Sequence, residues 1–300
     1  MSWKNVIISN PSKLTFSLNS LNIEQSPYDE SITIALSNIN SIILDHPQIT
    51  LTAVLLSECA ENNINIISTN KKHMPSGMFT SYSSHSRATE FSTLLINLRA
   101  SSKNNLWKNI IRKKILLQSR VLKCYGLENA DKMLSLLSFV NSGDKRNIEA
   151  YASSIYWKSL FIDFKRFADN KHNMLLNYGY SILRSLISKE IVGSGFYPAI
   201  GIKHCNIYNN FNLADDLIEP YRPIVDNMVI TLLGRVMVEG NNLTKSDKEE
   251  IFSIYNTKVI SSGKTYNLQD FIKEMLKSLQ RFVKDPKHES LLLPDKYIYE

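Results

Sequence analysis

Residues 201–223 of the chain, GIKHCNIYNNFNLADDLIEPYRP, combine an imidazole with a cluster of acidic side chains. His204 is followed, after an asparagine-rich connector that can fold back, by Asp215, Asp216 and Glu219. A helical apolar stripe begins directly after them. A loop histidine folded against carboxylates suits a hard divalent ion such as Mg²⁺ or Mn²⁺ better than structural zinc, which usually binds cysteine. The alternative is a solvated charged helix face beside an ordinary loop histidine.

The composition is that of a globular protein. The 300 residues are 43% hydrophobic with nine prolines, enough for one large domain or two modest ones. The formal net charge of +7 favours a polyanionic partner, nucleic acid first and an acidic membrane surface second. The alternative is that the chain is simply mildly basic, as many stable proteins are.

The cysteine pattern indicates a reducing compartment, and the short apolar runs predict neither a secretion signal nor a membrane span. The three cysteines are widely spaced and lack a CxxC pattern, which is typical of free cytosolic thiols. Residues 1–9, MSWKNVIIS, lack the long apolar segment of a secretion signal, and the longest apolar runs are too short to span a bilayer. We therefore expect a soluble, cytoplasmic protein with no membrane partner.

The first 70 residues predict a β-rich domain. Short runs rich in Val, Ile, Thr and Phe alternate with Asn-Pro, Asn-Ser and Ser-Pro turn signals. These runs cover residues 5–9, 13–18, 21–24, 31–35 and 41–44. A helical pattern at 51–61 and a buried strand at 64–68 complete the domain, and the polar segment 71–83, which begins KKHMPSG, predicts an interdomain linker.

From residue 84 to residue 300 the apolar spacing is helical. The helix predicted at 106–125 carries six positive charges, including Arg112, Lys113, Lys114 and Arg120. This density favours a phosphate-facing surface, with a solvated basic face as the alternative. The chain is thus predicted to be α+β, with a small β-rich N-terminal domain before a larger all-α domain. Residues 285–300 are expected to be loosely held.

Glu149 lies at the edge of the apolar stripe of a helix predicted at 145–168. A carboxylate against an apolar wall needs an arginine, a metal ion or a proton, and a salt-bridged structural glutamate is the alternative. The glycines after the helix at 174–192 follow no strand, and no Walker lysine motif is present. These absences argue against dinucleotide and ATP sites.

Together these stretches resemble the CRISPR-associated integrase family (Cas one), which inserts new spacers into a CRISPR array, and most of all its type II branch. The resemblance covers nearly the whole chain. It is carried by the sequences WKNIIRKKILLQ, NIEAYASSIYWKSLF, NYGYSILRS, GIKH and DDLIEPYRP. The last two, at this spacing, are the most specific.

The resemblance implies that Glu149, His204 and Glu219 are the catalytic residues and bind Mg²⁺ or Mn²⁺. Many relatives use an aspartate as the third ligand, so Asp215 and Asp216 stay open as ligands or as supports of the ligands. Arg222 is expected to orient a carboxylate through a bidentate pair.

The implied reaction is attack by the 3′-hydroxyl of a protospacer on a phosphodiester at the edge of a repeat. The implied partners are both double-stranded DNAs, a second copy of the chain that pairs through the β-rich domain, and a small ferredoxin-like CRISPR-associated protein (Cas two). Two other functions are considered: a non-catalytic nucleic-acid-binding protein, and a helical scaffold for an acidic protein. Neither needs the glutamates to meet in space.

Overall fold

A computed structural model of the chain describes residues 4–25, 30–71, 73–81, 85–240 and 242–298. The chain divides into two compact units, residues 1–86 and 87–300. The first unit is β-rich and the second is mostly helical, which confirms the predicted fold class.

The first unit is built from strands and one helix, at the positions where β-branched runs alternate with turns. The strands are β1 Lys4–Ile8, β2 Ser12–Ser17, β3 Ser20–Gln25, β4 Glu30–Ala35, β5 Ile39–Leu44, β6 Ile49–Leu51, β7 Asn65–Thr69 and β8 Pro75–Phe79. Helix α1, Ala53–Glu61, starts at Thr52, whose side chain accepts a hydrogen bond from the amide of Leu55. This cap agrees with the helix predicted at 51–61.

The described strands of this unit form two four-stranded sheets, ordered β1-β5-β7-β8 and β4-β3-β2-β6. Leu21, Ile39, Ile42 and Leu55, from both sheets and α1, belong to one buried apolar core. Part of the segment predicted as a linker is strand β8, which pairs antiparallel with β7. Residues 72 and 82–84 of that segment lie outside the described residues.

Helices dominate the second unit. They are α2 Ala88–Ile96, α3 Ala100–Cys124, α4 Ala130–Leu136, α5 Ile148–Leu160, α6 Lys171–Gly193, α7 Asn212–Leu217, α8 Arg222–Leu233, α9 Lys245–Phe252 and α10 Leu268–Lys284. The long helix α3 packs against α4, α5 and α8, and its buried face carries Ile110, Ile111 and Ile115. None of the helices in the described ranges is both long and apolar enough to cross a membrane.

The second unit also contains β structure, which corrects the all-α prediction for this domain. Strands β9 Lys258–Ser261, β10 Lys264–Asn267 and β11 Lys296–Ile298 form an antiparallel sheet in the order β10-β9-β11. The C-terminal segment is therefore packed through residue 298, where a loose tail was expected, and residues 299 and 300 lie outside the described residues. Its apolar residues Leu291, Leu293 and Tyr297 are buried, and the Tyr297 hydroxyl donates a hydrogen bond to Pro220 O at 2.8 Å.

The acidic stretch after residue 211 forms two helices instead of one. Helix α7 ends at Leu217, a short 3-10 turn covers Glu219–Tyr221, and α8 begins at Arg222. Pro220 and Pro223 explain the break, because proline has no amide proton to continue a helix and is tolerated at a helix start. Glu219 is consequently placed in the turn between the helices.

Candidate active site

Three elements of the second unit bring charged side chains together around Lys114. This lysine lies in α3, and its Nζ is 2.5 Å from Glu149 Oε1 of α5 and 2.6 Å from Glu219 Oε2 of the 3-10 turn. The side chains of Lys114 and Glu219 are each 8% exposed, whereas that of Glu149 is 30% exposed. The two glutamates therefore converge on one buried cation, and the cluster reaches solvent at Glu149.

The start of α5 fixes the position of Glu149. Asn147 precedes the helix with a φ of 53°, and the Asp144 carboxylate accepts hydrogen bonds from the amides of Ile148 and Glu149 at 3.0 Å each. Asp144 thus caps amides that the first helical turn leaves unpaired. Glu149 projects from this first turn, where the helix dipole favours a negative charge. Ser153 Oγ also donates to Glu149 Oε1 at 3.4 Å.

Glu219 is held by two cations. Arg222 Nε donates to Glu219 Oε1 at 2.9 Å, and Lys114 lies beside Oε2. Burial opposes ionisation, but the charges of Lys114 and Arg222 lower the pKa of Glu219 to about 2. Burial likewise opposes the charge of Lys114, and the two glutamates overcome it and raise the lysine pKa. Lys114 and Glu219 therefore both carry their charges at neutral pH.

The GIKH segment wraps around the carboxylate of Asp216. This carboxylate is fully buried and accepts hydrogen bonds from the amides of Ile202, Lys203 and His204 at 2.6, 2.9 and 3.2 Å. The His204 Nδ1 atom lies 2.6 Å from Asp216 Oδ1, and the imidazole makes an edge contact with the ring of Trp107. Asp216 thus supports the imidazole, one of the two roles left open for it.

Only glycine fits at the first residue of this segment. A Cβ on Gly201 would lie 2.2 Å from the backbone oxygen of His204 and 2.9 Å from Asp216 Oδ2. The close wrapping directs the Nδ1 proton of His204 towards Asp216 and leaves Nε2 as the nitrogen that can bind a ligand. The hydrogen bond to Asp216 raises the pKa of His204 against the opposing effect of burial, and the charge of Glu219 adds to the rise.

The structure brings two of the three predicted metal ligands together. Glu149 and Glu219 meet at Lys114, whereas His204 is held by Asp216. Among the described residues, no three His, Cys, Asp or Glu side chains are close enough to hold one ion. The assignment of Glu149, His204 and Glu219 as a joint metal site therefore stays a prediction.

The pair of glutamates nevertheless fits a hard divalent cation. Glu149 Oε1 and Glu219 Oε2 approach the same point, and that point already holds a positive charge, the Lys114 ammonium. Carboxylate oxygens are the ligands that Mg²⁺ and Mn²⁺ take. Moreover, Glu219 Oε2 is buried, and the Lys114 ammonium at 2.6 Å is the cation that matches its charge. Such an oxygen is suited to a metal.

The four residues predicted to bind DNA lie in different environments. Lys114 is buried between the glutamates, which places it in the site and not on a phosphate-facing surface. Lys114 follows Ile110 by four residues and Ile111 by three, a spacing that places it on the buried face of α3. The sequence therefore contained a sign of its burial, which was overlooked because the residue is charged. Lys113 pairs with the Asp295 carboxylate, and Arg120 donates to the Asp295 backbone oxygen. Arg112 and Arg120 are exposed.

The other acidic residues of the stretch have separate partners. Asp215 accepts a hydrogen bond from Arg184 Nη2 at 2.8 Å. Asp226 is fully buried and accepts hydrogen bonds from the hydroxyls of Tyr156, at 3.0 Å, and Tyr180. Burial raises the pKa of Asp226 to about 6, although the tyrosine hydrogen bonds oppose the rise. Asp226 lies seven residues after Glu219, a spacing that would place both on one face of a continuous helix, but the 3-10 turn at Glu219–Tyr221 interrupts the helix before α8 begins.

The Asp226 carboxyl is expected to make stability depend on pH between about 4 and 6. Its pKa is 3.8 in the unfolded chain and about 6 in the folded one, so the native state binds the proton more tightly. The stabilisation is fully present below pH 4 and is lost as the pH rises through 6, a loss of about 3 kcal/mol. Asp226→Asn should remove this dependence and stabilise the protein at neutral pH.

Urea unfolding of Asp226→Asn at pH 4 and pH 7, compared with the parent chain, measures this effect. Asp169→Asn, at an exposed aspartate of the same unit, is the control. If the parent and Asp226→Asn show the same change in unfolding free energy between the two pH values, the native carboxyl is ionised and the prediction is wrong.

Comparison with known proteins places the chain in a family. Residues 6–259 match the family of CRISPR associated protein Cas1. The chain is 34% identical over 299 residues to the CRISPR-associated endonuclease Cas1 of Neisseria meningitidis serogroup C (strain 8013), covering 98% of this chain and 97% of that protein.

Solved structures share the fold. A casposase bound to integration product superposes with a TM-score of 0.78 at 17% identity, covering 97% of this chain and 92% of the casposase. A chain of a Cas6-RT-Cas1–Cas2 complex superposes with a TM-score of 0.71 at 14% identity, covering 95% of this chain and 35% of that longer one. From the family match and the near-complete alignment to the Neisseria protein, the chain belongs to the CRISPR associated protein Cas1 family.

Proposed function

We propose that this chain is a divalent-metal-dependent DNA endonuclease and integrase that inserts protospacer DNA into a CRISPR array by 3′-hydroxyl transesterification. The observation that carries the proposal is the convergence of Glu149 and Glu219 on one buried cation, in a member of a family with a named endonuclease. A purely DNA-binding protein or a scaffold does not need two carboxylates, one buried and one partly exposed, directed at one point. The casposase neighbour with its integration product supports the strand-transfer chemistry.

Some residues of the site would bind the metal ion, and others would orient those ligands. Glu149 and Glu219 would hold Mg²⁺ or Mn²⁺, with His204 Nε2 as a further ligand. When bound, the ion would supply charge stabilisation at the scissile phosphate and at the departing 3′-oxygen. Arg222 keeps Glu219 ionised and oriented, and Asp216 fixes the tautomer of His204.

The nucleophile is part of the substrate. The 3′-hydroxyl of the incoming DNA loses its proton as its oxygen forms a bond to the target phosphorus, and the bond from that phosphorus to the target 3′-oxygen breaks as this oxygen gains a proton. One phosphodiester replaces another, so ATP is not consumed. With water in place of the hydroxyl, the same site would hydrolyse DNA, which accounts for an endonuclease activity.

We also propose how the chain assembles with DNA, with a second copy of itself and with Cas2. Exposed Arg112 and Arg120 on α3 would contact DNA phosphates, which position a duplex without reading its bases. Two copies of the chain would pair through the β-rich unit, and the small partner Cas2 would bridge two such dimers. The Cas6-RT-Cas1–Cas2 complex among the fold neighbours supports a Cas2 partner. A fixed separation between two active sites would then set the length of the inserted DNA.

A strand-transfer assay tests the proposal. It combines the purified chain and its small partner with a short duplex bearing free 3′-hydroxyls and a supercoiled plasmid carrying the repeat, with Mn²⁺ or with EDTA. We expect joining with Mn²⁺ only, reduced about 10³-fold in His204→Ala, because a lost ligand removes several kcal/mol of transition-state stabilisation.

His288→Ala is the matched control, since this histidine of the same unit is exposed and pairs only with Asp285 among the described residues. Joining that survives in His204→Ala would keep the function and dismiss His204 as a ligand. DNA binding without joining under any metal would instead identify a non-catalytic binding protein.

A further inference from the structure

A tight turn after His204 exposes two large apolar side chains. The amide of Asn209 donates to Asn206 O at 3.1 Å, which closes a four-residue turn with Ile207 and Tyr208 at its tip. These two side chains are 86% and 89% exposed. The tip lies only three and four residues beyond the imidazole of the site.

The residue types at this tip are unusual for a turn. Glycine, proline, asparagine, aspartate and serine dominate turns, because they satisfy the local backbone or tolerate its angles. A β-branched isoleucine next to a tyrosine gains no burial here and offers no local hydrogen bond. Single exposed apolar residues need no explanation. Two adjacent ones in a turn depart from the usual turn composition, and such departures are found mainly at functional or strained sites.

Hydrogen bonds from within the turn and from α6 and α7 hold its backbone in place. The Asn206 side chain accepts a hydrogen bond from the amide of Tyr208 at 3.0 Å. Asn212 Nδ2 donates to the backbone oxygens of Asn206 and Asn209 at 2.9 and 3.1 Å. Arg184 Nη2 donates to the Asn209 side-chain oxygen at 2.8 Å. The backbone that carries the two apolar side chains is therefore already ordered, so binding of a partner to them would cost little conformational entropy.

The turn adjoins the proposed active site. The chain before it carries His204, and the chain after it enters α7, which carries Asp216. The 2.6 Å hydrogen bond between His204 and Asp216 joins these two flanks. We propose, resting on the function proposed above, that Ile207 and Tyr208 pack against a nucleobase that flanks the reacting phosphodiester. Aromatic side chains stack on bases without regard to sequence, and apolar side chains insert between base steps and partly unstack them.

The base can come from two DNA molecules, the incoming protospacer end or the target repeat. In either case the contact would hold the DNA so that the phosphodiester lies near His204. The pair would also favour steps that unstack easily, which gives the reaction a local preference without hydrogen bonds to base edges.

Fluorescence of 2-aminopurine tests the proposal without any chemistry. The full chain is titrated in EDTA with branched DNA that mimics the joined product, with the probe base beside the branch on the protospacer arm in one substrate and on the target arm in another. We expect a fluorescence change in one of the two substrates. In the double variant Ile207→Ser/Tyr208→Ala the change should disappear and the Kd should rise about tenfold.

Two single variants complete the test. Tyr208→Phe keeps the ring and should retain the response, and Phe167→Ala removes another aromatic of the same unit that is 96% exposed but lies outside this turn. A double variant with the parent's response and Kd, or a parent without a response at either position, overturns the proposal. A parent that shows the response but never joins DNA contradicts the proposed function and leaves the base contact in place.

Discussion

Glu219→Gln is expected to slow strand transfer by about 10³-fold or more. Glutamine has the shape of glutamate and keeps an oxygen that can accept from Arg222 Nε, now 2.9 Å from Oε1. It loses the negative charge beside Lys114, and with it the ability to bind a divalent cation as a hard anion. Single-turnover rates with saturating Mn²⁺ measure the loss, and circular dichroism of the variant reports whether the fold is kept.

Glu190→Gln is a matched control for this change. Glu190 is also a buried glutamate of the second unit. Its Oε1 accepts a hydrogen bond from Gln269 Nε2 and lies 4.0 Å from Lys189 Nζ. A rate within a few fold of the parent is expected there, because Glu190 belongs to a different cluster. If Glu219→Gln joins DNA as fast as Glu190→Gln does, Glu219 has no part in the chemistry.

Local chemistry predicted most of the fold. The β-branched runs before residue 70 and the 3.6-residue spacing of apolar side chains after residue 84 indicate the correct classes of element. The small sheet of β9, β10 and β11 was missed because its strands are three or four residues long. Strand β11 also pairs with β9 across more than 30 residues, so no local pattern reports the contact. For the same reason the segment that ends in β11 was expected to be loose.

Residue types in the sequence pointed to the acidic side chains and the histidine of the candidate site, but they did not give their arrangement. The acidic stretch and the GIKH histidine stand out by residue type, and the support of His204 by Asp216 follows from a chain that folds back over twelve residues. Lys114, the cation between the two glutamates, was expected on the DNA-binding surface. Lys114 shares a helix with exposed basic residues, and only tertiary packing of α3 against α5 and the 3-10 turn makes it the counter-ion of the site.

Lys114→Met is expected to make the stability of the protein depend on divalent cations. The substitution leaves an apolar side chain of similar length where the ammonium lay between Glu149 Oε1 and Glu219 Oε2. Removing one partner of a buried ion pair costs about 3–5 kcal/mol, since the remaining charges lose their counter-ion. Mn²⁺ bound by the freed oxygens should return this stability by mass action, because the unfolded chain does not hold the two glutamates together.

Urea unfolding of Lys114→Met with EDTA and with excess Mn²⁺ measures the effect apart from any activity. The neighbouring Lys113→Met is the control, because its pair with Asp295 is more exposed and is expected to contribute about 1 kcal/mol or less. In the parent chain Lys114 already neutralises the glutamates, so Mn²⁺ should stabilise the parent less than Lys114→Met. Equal responses to Mn²⁺ in both proteins would mean that the oxygens around Lys114 do not form a cation site, and the ligands would then have to be sought elsewhere in the chain.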